Sequence, residues 1–304
     1  MLAGLTRRGL DLTRGLAIAG LLVLGVSLAH AGEAGGAADR AWRIDTEHLF
    51  GFVIGTDIGE VGDKELEAEV AGDLGKRPGA YTALFPSLEY EFVPIANLRL
   101  APSVSAAYHN ISGVADLDDR HQFALDGVSF DTRYRLLDRS QWGLGLALNA
   151  EPHVGLVDET SGQWVDSYGA DFALALDREL VPDRVVAALN LLYQPETSRL
   201  HATGAWARDA TAGIAAGIMG EVAPGVLIGA EGRYLRKYDG IGLDNFAGQA
   251  LFVGPTLYTR LNGRLWMIAA WSAQAAGRSV SSPGALDLTN FTRHQAKIQF
   301  GLEF

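Results

Sequence analysis

The chain has 304 residues, a formal net charge of −11 and no cysteine. Without cysteine it has no disulfide framework, no thiolate metal site and no cysteine nucleophile. An acidic chain that lacks clustered Lys and Arg is a poor match to nucleic acid, so we predict no nucleic-acid partner. Hydrophobic residues make up 48% of the chain and charged residues 20%, and there are 37 glycines. This is neither a disordered composition nor that of a helical membrane protein.

The N-terminus has the pattern of a secretion signal. Arg7, Arg8 and Arg14 precede an apolar run at 16–28, which is followed by the small residues of Ala29-His30-Ala31. The run is shorter than the roughly twenty residues of a spanning helix, which disfavours a transmembrane anchor. We therefore predict a cleaved signal peptide at 1–31 with cleavage near Ala31, a periplasmic tail at 32–45 and a barrel domain at 46–304.

Apolar and polar residues then alternate along most of the chain, which predicts β-strands with one apolar and one polar face. Twelve strands are expected, at 46–56, 81–92, 98–108, 128–136, 142–148, 168–176, 185–193, 212–218, 226–234, 249–261, 264–274 and 295–304. The acidic, glycine-rich stretch 57–79 is expected to be a hairpin extension above the membrane. The alternation does not decide which faces of the strands at 249–274 point inward.

The connections between these strands sort by length. Short turns are expected at 93–97, 138–140, 178–183, 223–225 and 262–263, and longer loops lie between them. Strict alternation of short and long connections is typical of outer-membrane barrels, with short periplasmic turns and longer outer loops. Asn262-Gly263 also favours a two-residue hairpin turn with positive φ at both positions. The aromatic residues lie mostly near strand ends, as in membrane girdles, although packing in the core of a soluble sandwich is the alternative.

The chain ends inside its clearest strand. Ala296, Ile298, Phe300, Leu302 and Phe304 share one face. This ending resembles the C-terminal strand of bacterial outer-membrane barrels, where a terminal aromatic is read by the assembly machinery. The resemblance implies that Phe300 and Phe304 form the assembly signal and that the partners are the barrel assembly machinery and outer-membrane lipid. The alternative is an edge strand of a soluble sandwich, which would need protection from pairing.

The sequence thus predicts an all-β protein: a single antiparallel transmembrane β-barrel of about twelve strands in the outer membrane of a Gram-negative bacterium. The polar faces supply candidate lumen-lining residues with charges of both signs. These are Glu89, Glu91, Arg99, Asp131, Arg133, Arg135, Glu151, Asp171, Glu231, Arg233, Lys297 and Glu303. They form either a salt-bridge network that stiffens the barrel or the lining of a channel.

Small residues on the predicted inner faces of strands five to eight leave space beside these charges and favour a cavity. They are Gly143, Gly145, Ala147, Gly169, Ala173, Ala175, Gly213 and Gly217.

Motifs that carry chemistry are scarce in this sequence. His109 and His121 flank Asp116-Leu117-Asp118-Asp119, but acidic groups in an outer loop are usually solvated, and we predict no metal site. Nucleophilic catalysis needs a hydroxyl, a base and an orienting group. The sequence has no His-x-Ser pair and no Gly-x-Ser-x-Gly motif. We predict no cofactor and no enzyme activity.

Four stretches carry a family resemblance. They are Glu47-His48-Leu49-Phe50-Gly51-Phe52 with Gly55-Thr56-Asp57-Ile58-Gly59-Glu60, Gly232-Arg233-Tyr234-Leu235 with Tyr238-Asp239-Gly240, Gly254-Pro255-Thr256-Leu257, and Leu286-Asp287-Leu288-Thr289-Asn290-Phe291. The mature chain resembles an uncharacterised family of proteobacterial outer-membrane proteins along its whole length. The resemblance supports the barrel and supplies no site residues.

Three functions compete. The leading hypothesis is a passive pore or channel for small polar solutes, because the predicted lumen is charged and lined with small residues. The second is a plugged structural or partner-binding barrel that acts through its loops, and the third is a membrane hydrolase. Substitution of Arg133 and Glu231 is expected to change conductance in a pore and to reduce stability in a plugged barrel.

Overall fold

Twelve antiparallel strands close into one barrel in the computed structural model, which describes residues 44–304. The strands are β1 (Lys64–Leu74), β2 (Ala80–Ile95), β3 (Leu98–Ser112), β4 (Arg120–Leu137), β5 (Gly145–Val157), β6 (Trp164–Val181), β7 (Val185–Leu200), β8 (Trp206–Ala223), β9 (Val226–Tyr238), β10 (Phe246–Arg260), β11 (Leu265–Ser279) and β12 (His294–Glu303). The predicted all-β barrel of twelve strands is confirmed. The predicted signal peptide and almost all of the predicted tail lie outside the described residues.

Each strand has an apolar face that points outward and a more polar face that points into the lumen. On β12, Ile298, Phe300 and Leu302 are exposed on the outer surface, whereas Lys297 and Gln299 point into the lumen. An outward apolar band with polar residues inside is the arrangement that lets a closed sheet face lipid without unpaired backbone groups. Within 44–304, no helix is both long and apolar enough to cross a membrane.

The prediction for the first strand is wrong. Residues 46–56 form no strand, and β1 lies in the acidic stretch that was expected to be a hairpin extension. β1 pairs with β2 on one side and closes the barrel against β12 on the other. The physical reason lies in the two patterns. Lys64–Leu74 alternates apolar and acidic residues, whereas 49–54 is a run of apolar residues and glycine with no polar face.

Residues 44–63 instead lie inside the barrel, and we refer to them as the plug. Their partners sit on the inner faces of strands all around the wall. Arg99 of β3, Asp177 of β6, Asn190 of β7 and Glu231 of β9 each contact the plug. One segment can reach all of these strands only from within the lumen.

Three local predictions also change. A one-turn helix, α1 (Arg139–Trp142), occupies the expected turn between β4 and β5, so β5 begins at Gly145 and Trp142 is not part of it. Neither Asn262 nor Gly263 has positive φ. The Asn262 side chain accepts hydrogen bonds from two following backbone amides and makes the turn in that way.

The connections and facings complete the barrel. Short connections at one end, such as 96–97 and 224–225, alternate with longer ones such as 113–119 and 280–293 at the other. The predicted pattern of short turns and longer loops is confirmed except between β4 and β5, where the connection 138–144 contains α1 and is as long as 113–119. On β11, Trp266 and Ile268 point into the lumen and are fully buried, which decides the facing that alternation left open.

Candidate functional site

The lumen near the short turns is filled by an apolar core that the plug shares with the wall. Ile44, Leu49, Phe50 and Val53 are the plug side chains in this core. The wall contributes Val186, Ala188, Ala215, Met219, Leu227, Tyr258, Trp266 and Ile268. These residues come from β7 to β11, so one side of the inner wall is apolar at this end. Burial of this apolar surface holds the plug against that side.

Two wall side chains bind the plug backbone. The Glu231 carboxylate accepts hydrogen bonds from the amides of Gly51 and Phe52, each at 2.7 Å, and from the hydroxyl of Thr256. The Asn190 side-chain amide pairs with Ile54, accepting from its N–H at 2.7 Å and donating to its carbonyl at 2.8 Å. Gly62 and Asp63 form backbone hydrogen bonds with Val93 of β2, but residues 44–60 form none with a strand. The side chains of Glu231 and Asn190 therefore satisfy backbone groups that would otherwise be buried without partners.

A second set of polar contacts holds residues 44–46 and 56–57 of the plug together. Thr46 Oγ1 donates to Asp177 Oδ2 at 2.5 Å, and the amide of Thr56 donates to the same oxygen at 2.9 Å. Arg139 of α1 donates to Asp57 at 2.7 Å and to the carbonyl of Ile44 at 2.6 Å, and it forms an ion pair with Asp177 at 3.0 Å. The short helix therefore positions the arginine that neutralises these carboxylates.

The small residues on the inner wall make room for the plug rather than for an open cavity. A Cβ at Gly217 would lie 2.7 Å from the Phe50 ring. A Cβ at Gly145 would overlap Thr56 Oγ1 and Asp177 Oδ1. At these two positions, the prediction that small residues leave free space is wrong, because the plug occupies that space.

Replacing Gly145 with alanine is expected to displace Thr56 from Asp177 and to cost about 1–3 kcal/mol, as overpacking of a buried site does. The measurement is equilibrium unfolding of the folded barrel in detergent. The matched control is Gly155→Ala on the same strand, where the nearest atoms to an added Cβ are 3.5 Å away. Equal effects of the two substitutions would show that Gly145 is not a plug contact.

A polar cavity of about 350 Å³ lies in the lumen with the plug as one of its walls. Eight of the candidate lining residues line it: Glu89, Arg99, Asp131, Arg133, Glu151, Asp171, Arg233 and Lys297. The acidic side chains concentrate on β2, β4, β5 and β6, and Arg233 and Lys297 come from β9 and β12. Lys297 pairs with Glu69 at 2.7 Å. Arg233 stacks over the Phe52 ring at 3.9 Å and donates to Gln295 at 2.6 Å.

The other four candidate lining residues lie elsewhere. Glu91 and Glu231 are buried against partners beside the plug. Arg135 and Glu303 sit toward the short-turn end, where Arg135 donates to Asn97 and Glu303 pairs with Arg260 at 3.1 Å. Phe300 and Phe304 are exposed on the outer face. Their role in assembly stays a prediction.

Arg99 is the centre of the buried charges. It lies 2.8 Å from Glu91 and 2.9 Å from Asp131, and at 3.8–3.9 Å from Glu47 and Glu89. A guanidinium has five N–H donors and can serve several carboxylates at once. Arg99 thus links β2, β3 and β4 to the plug.

Sequence reasoning missed the residues that depend on the plug. They are Glu47, His48, Glu65, Glu67, Arg139, Asp177 and Asn190. For Glu65 and Glu67 of β1, the one signal in the sequence was that they alternate with apolar residues, as the inward-facing residues of a strand do. The cation site considered at His109 and His121 does not form, because Asn110 rather than His109 is the register partner of His121 and the two rings lie on opposite faces.

Comparison with known proteins supplies the family. Residues 42–304 match Family of unknown function (DUF6662), and the chain belongs to that family. No curated protein matches the sequence.

Solved structures share the barrel. The COG4313 outer membrane channel from Pseudomonas putida F1 is 12% identical, with a TM-score of 0.55 over 82% of this chain and 98% of that chain. The NanC porin is 10% identical, with a TM-score of 0.46 over 78% and 98%. The translocator domain of autotransporter NalP from Neisseria meningitidis is 13% identical, with a TM-score of 0.45 over 82% and 91%. At this identity the first match establishes the outer-membrane barrel fold alone.

Proposed function

We propose that this member of the family is an outer-membrane channel for small polar solutes, closed at its short-turn end by its own plug. The observation that carries the proposal is the cavity of about 350 Å³ inside the lumen, lined by charged side chains and bounded by the plug. That volume lies at the lower end of about 300–1,000 Å³ for small-molecule sites. It suits a small polar solute, which belongs to the solute class that the sequence indicates.

The way the plug is held supports a channel that can open. Side chains of the wall bind its backbone, as Glu231 and Asn190 do. Residues 44–60 of the plug, which are held by such contacts, can leave without breaking backbone pairing between strands. Closure of the barrel by β1 and β12 does not involve the plug, so the wall stays intact when the plug moves.

The cavity charges also fit solute selection. Glu151 and Asp171 are direct partners across β5 and β6 and both line the cavity. Arg233 lies within 4.0 Å of no carboxylate among the described residues. An acidic wall and a cationic side chain in one confined space attract solutes that carry charges of both signs, since fields are strong in a narrow cleft with low-dielectric walls.

The experiment measures reversal potential across a planar bilayer with a salt gradient. Glu151→Gln with Asp171→Asn is expected to shift the reversal potential toward anions, because two cavity carboxylates are lost. The matched control is Glu221→Gln with Asp183→Asn, which removes two carboxylates from the short-turn end, outside the cavity lining. An identical shift in both double variants would contradict conduction through this cavity.

The second candidate is a permanently plugged barrel that acts through its loops or binds a partner. The extent of the plug's apolar core favours it. It predicts no conductance from the wild type and none after the plug contacts are weakened, which separates it from a channel.

Substitution of Arg133 and Glu231 does not separate these functions. Glu231 binds the plug backbone, and Arg133 donates to the carbonyls of Glu47 and Asp57. Both substitutions would therefore change stability and conductance together. Glu151 and Asp171 replace them because they line the cavity and bond no plug residue among those described.

A further inference from the structure

Glutamates face one another across the closing strands of the barrel. Glu65 of β1 is the direct partner of Glu91 on β2 and of Glu303 on β12, and Glu67 is the partner of Glu89. Glu65, Glu67 and Glu91 are only 4–6% exposed. Like charges directly opposite in a sheet destabilise it, and burial increases that cost. We refer to these five side chains, Glu65, Glu67, Glu89, Glu91 and Glu303, as the glutamate ladder. The glutamate ladder therefore needs cations close by.

The arginine side chains of the barrel wall lie close to only some glutamates of the ladder. Arg99 lies 2.8 Å from Glu91, and Arg260 lies 3.1 Å from Glu303. Arg99 also contacts Asp131, Glu47 and Glu89, so its charge is already shared. Glu65 and Glu67 lie within 4.0 Å of no lysine or arginine in the described part of the chain. Among residues 44–304, His48 is the one basic side chain that reaches both of them.

His48 is a plug residue whose ring is held in place. It stacks on Trp266 with ring centroids 4.6 Å apart and planes at 15°. Its Nδ1 lies 3.1 Å from Glu67 Oε1, and its Nε2 lies 3.5 Å from Glu65 Oε2. Adjacent ligands of one tetrahedral ion are about 3.3–3.6 Å apart when metal–ligand bonds are about 2.0–2.2 Å. One ion binds only one nitrogen of the ring, so these two separations do not belong to the same ligand set. The 3.1 Å between Nδ1 and Glu67 Oε1 is close to that spacing, and Glu65 completes the set by turning its carboxylate toward the ion.

Several of these buried atoms lack hydrogen bonds. Among the described residues, none forms a hydrogen bond with His48 Nε2, Glu65 Oε1, Glu67 Oε1 or Glu91 Oε2. Glu91 Oε2 still lies 2.8 Å from Arg99, which leaves three atoms to account for. Buried polar atoms are normally paired, so three such atoms in one place require an explanation. One nitrogen of His48 and one oxygen each from Glu65 and Glu67 lie within 4.8 Å of one another. The ring and the two buried carboxylates are therefore close enough to bind one ion once the side chains turn toward it.

We propose that His48, Glu65 and Glu67 bind one divalent first-row transition-metal ion that fastens the plug to β1. An imidazole with carboxylates suits ions such as Zn²⁺, Mn²⁺ or Fe²⁺. Ca²⁺ instead takes six to eight oxygen ligands, a set that includes no imidazole. The ion supplies the positive charge that the glutamate ladder lacks. Because His48 belongs to the plug and the glutamates to the wall, the ion also links these two parts of the molecule. Such an ion would link the plug to the wall whether or not the barrel conducts.

The test uses Zn²⁺ as the probe and the tag-free mature protein, refolded in detergent with a chelator and then freed of it. Titration calorimetry is expected to give about one Zn²⁺ per chain. Glu65→Gln with Glu67→Gln is expected to weaken binding at least tenfold while keeping the fold, because the amides keep the side-chain shape and relieve like-charge repulsion. Glu151→Gln, which removes a lumen carboxylate elsewhere, should bind as the wild type does.

A second readout locates the ion. Cu²⁺ is expected to quench the fluorescence of Trp266, whose ring stacks on His48, and Trp266→Phe should remove that quenching while other tryptophans stay bright. Absence of Zn²⁺ binding by the folded wild type would overturn the proposal and indicate that Glu65 and Glu67 are protonated instead. Equal binding by the wild type and the double variant would also overturn it, since the ion would then sit elsewhere.

Discussion

Replacing Arg99 with methionine is expected to lower the free energy of unfolding by about 3–5 kcal/mol, which is the cost of removing one partner from a buried ion pair. Arg99 is nearly inaccessible and faces Glu91 and Asp131 directly, with Glu47 and Glu89 close by. Methionine keeps much of the packing volume but removes the charge. The measurement is denaturant unfolding of the refolded barrel, followed by the loss of its heat-dependent gel mobility.

The matched control for this prediction is Arg135→Met on the adjacent strand. Arg135 is more exposed than Arg99, donates to Asn97 and lies 3.9 Å from Asp138. A partly exposed pair of this kind contributes about 0–1 kcal/mol. A loss at Arg99 as small as the loss at Arg135 would show that the surrounding carboxylates are neutral without the arginine, and that Arg99 does not organise the buried charges.

The barrel could be predicted from the sequence because the features that indicate it lie within single strands and turns. Each strand carries its own alternation, as β12 does from Gln295 to Phe304, and the turn lengths are visible directly. The number of strands and the sorting of connections follow from these features without knowledge of any contact. The structure confirms the number of strands. It moves the first strand and the start of the fifth, and it departs from the expected sorting only in the longer connection between β4 and β5.

The first strand was misplaced because two neighbouring segments compete for one position. The apolar run 49–54 has the composition of a strand, and Lys64–Leu74 has the alternation of one. Pairing with β12 decides between them, and such pairing joins residues more than two hundred positions apart. A segment with no polar face also needs an apolar surface to bury it on both sides, which the lumen offers only after the barrel has closed.

The site residues were predictable in part. The alternation along each strand is enough to predict that Glu89, Asp131 and Lys297 face the lumen, because the facing of a residue depends only on its position in its own strand. The glutamate ladder needed the register that sets Glu65 opposite Glu91. The plug contacts of Asn190 and Asp177 needed the path of a segment without regular structure, for which sequence periodicity has no signal.

Replacing Glu231 and Asn190 together with alanine is expected to raise the fraction of time that the barrel conducts by about a hundredfold or more. The double variant removes four hydrogen bonds to the plug backbone, made with Gly51, Phe52 and Ile54. Each contributes about 0.5–3 kcal/mol, with the larger values for the carboxylate. A net loss of about 3 kcal/mol would shift the closed-to-open equilibrium about a hundredfold. Single-channel recording in planar bilayers measures the change.

Glu151→Ala with Gln194→Ala is the matched control, because it removes one carboxylate and one amide that line the same cavity. Its open fraction should stay near that of the wild type. If the control opened as often as the Glu231 and Asn190 variant, widening of the cavity would explain conduction and the plug would not be the barrier. If the wild type and both variants stayed silent while correctly folded, the apolar core around Phe50 and Trp266 would hold the plug in place alone. The permanently plugged, partner-binding barrel would then replace the channel, since polar contacts to the plug matter for opening only if the apolar contacts can be broken.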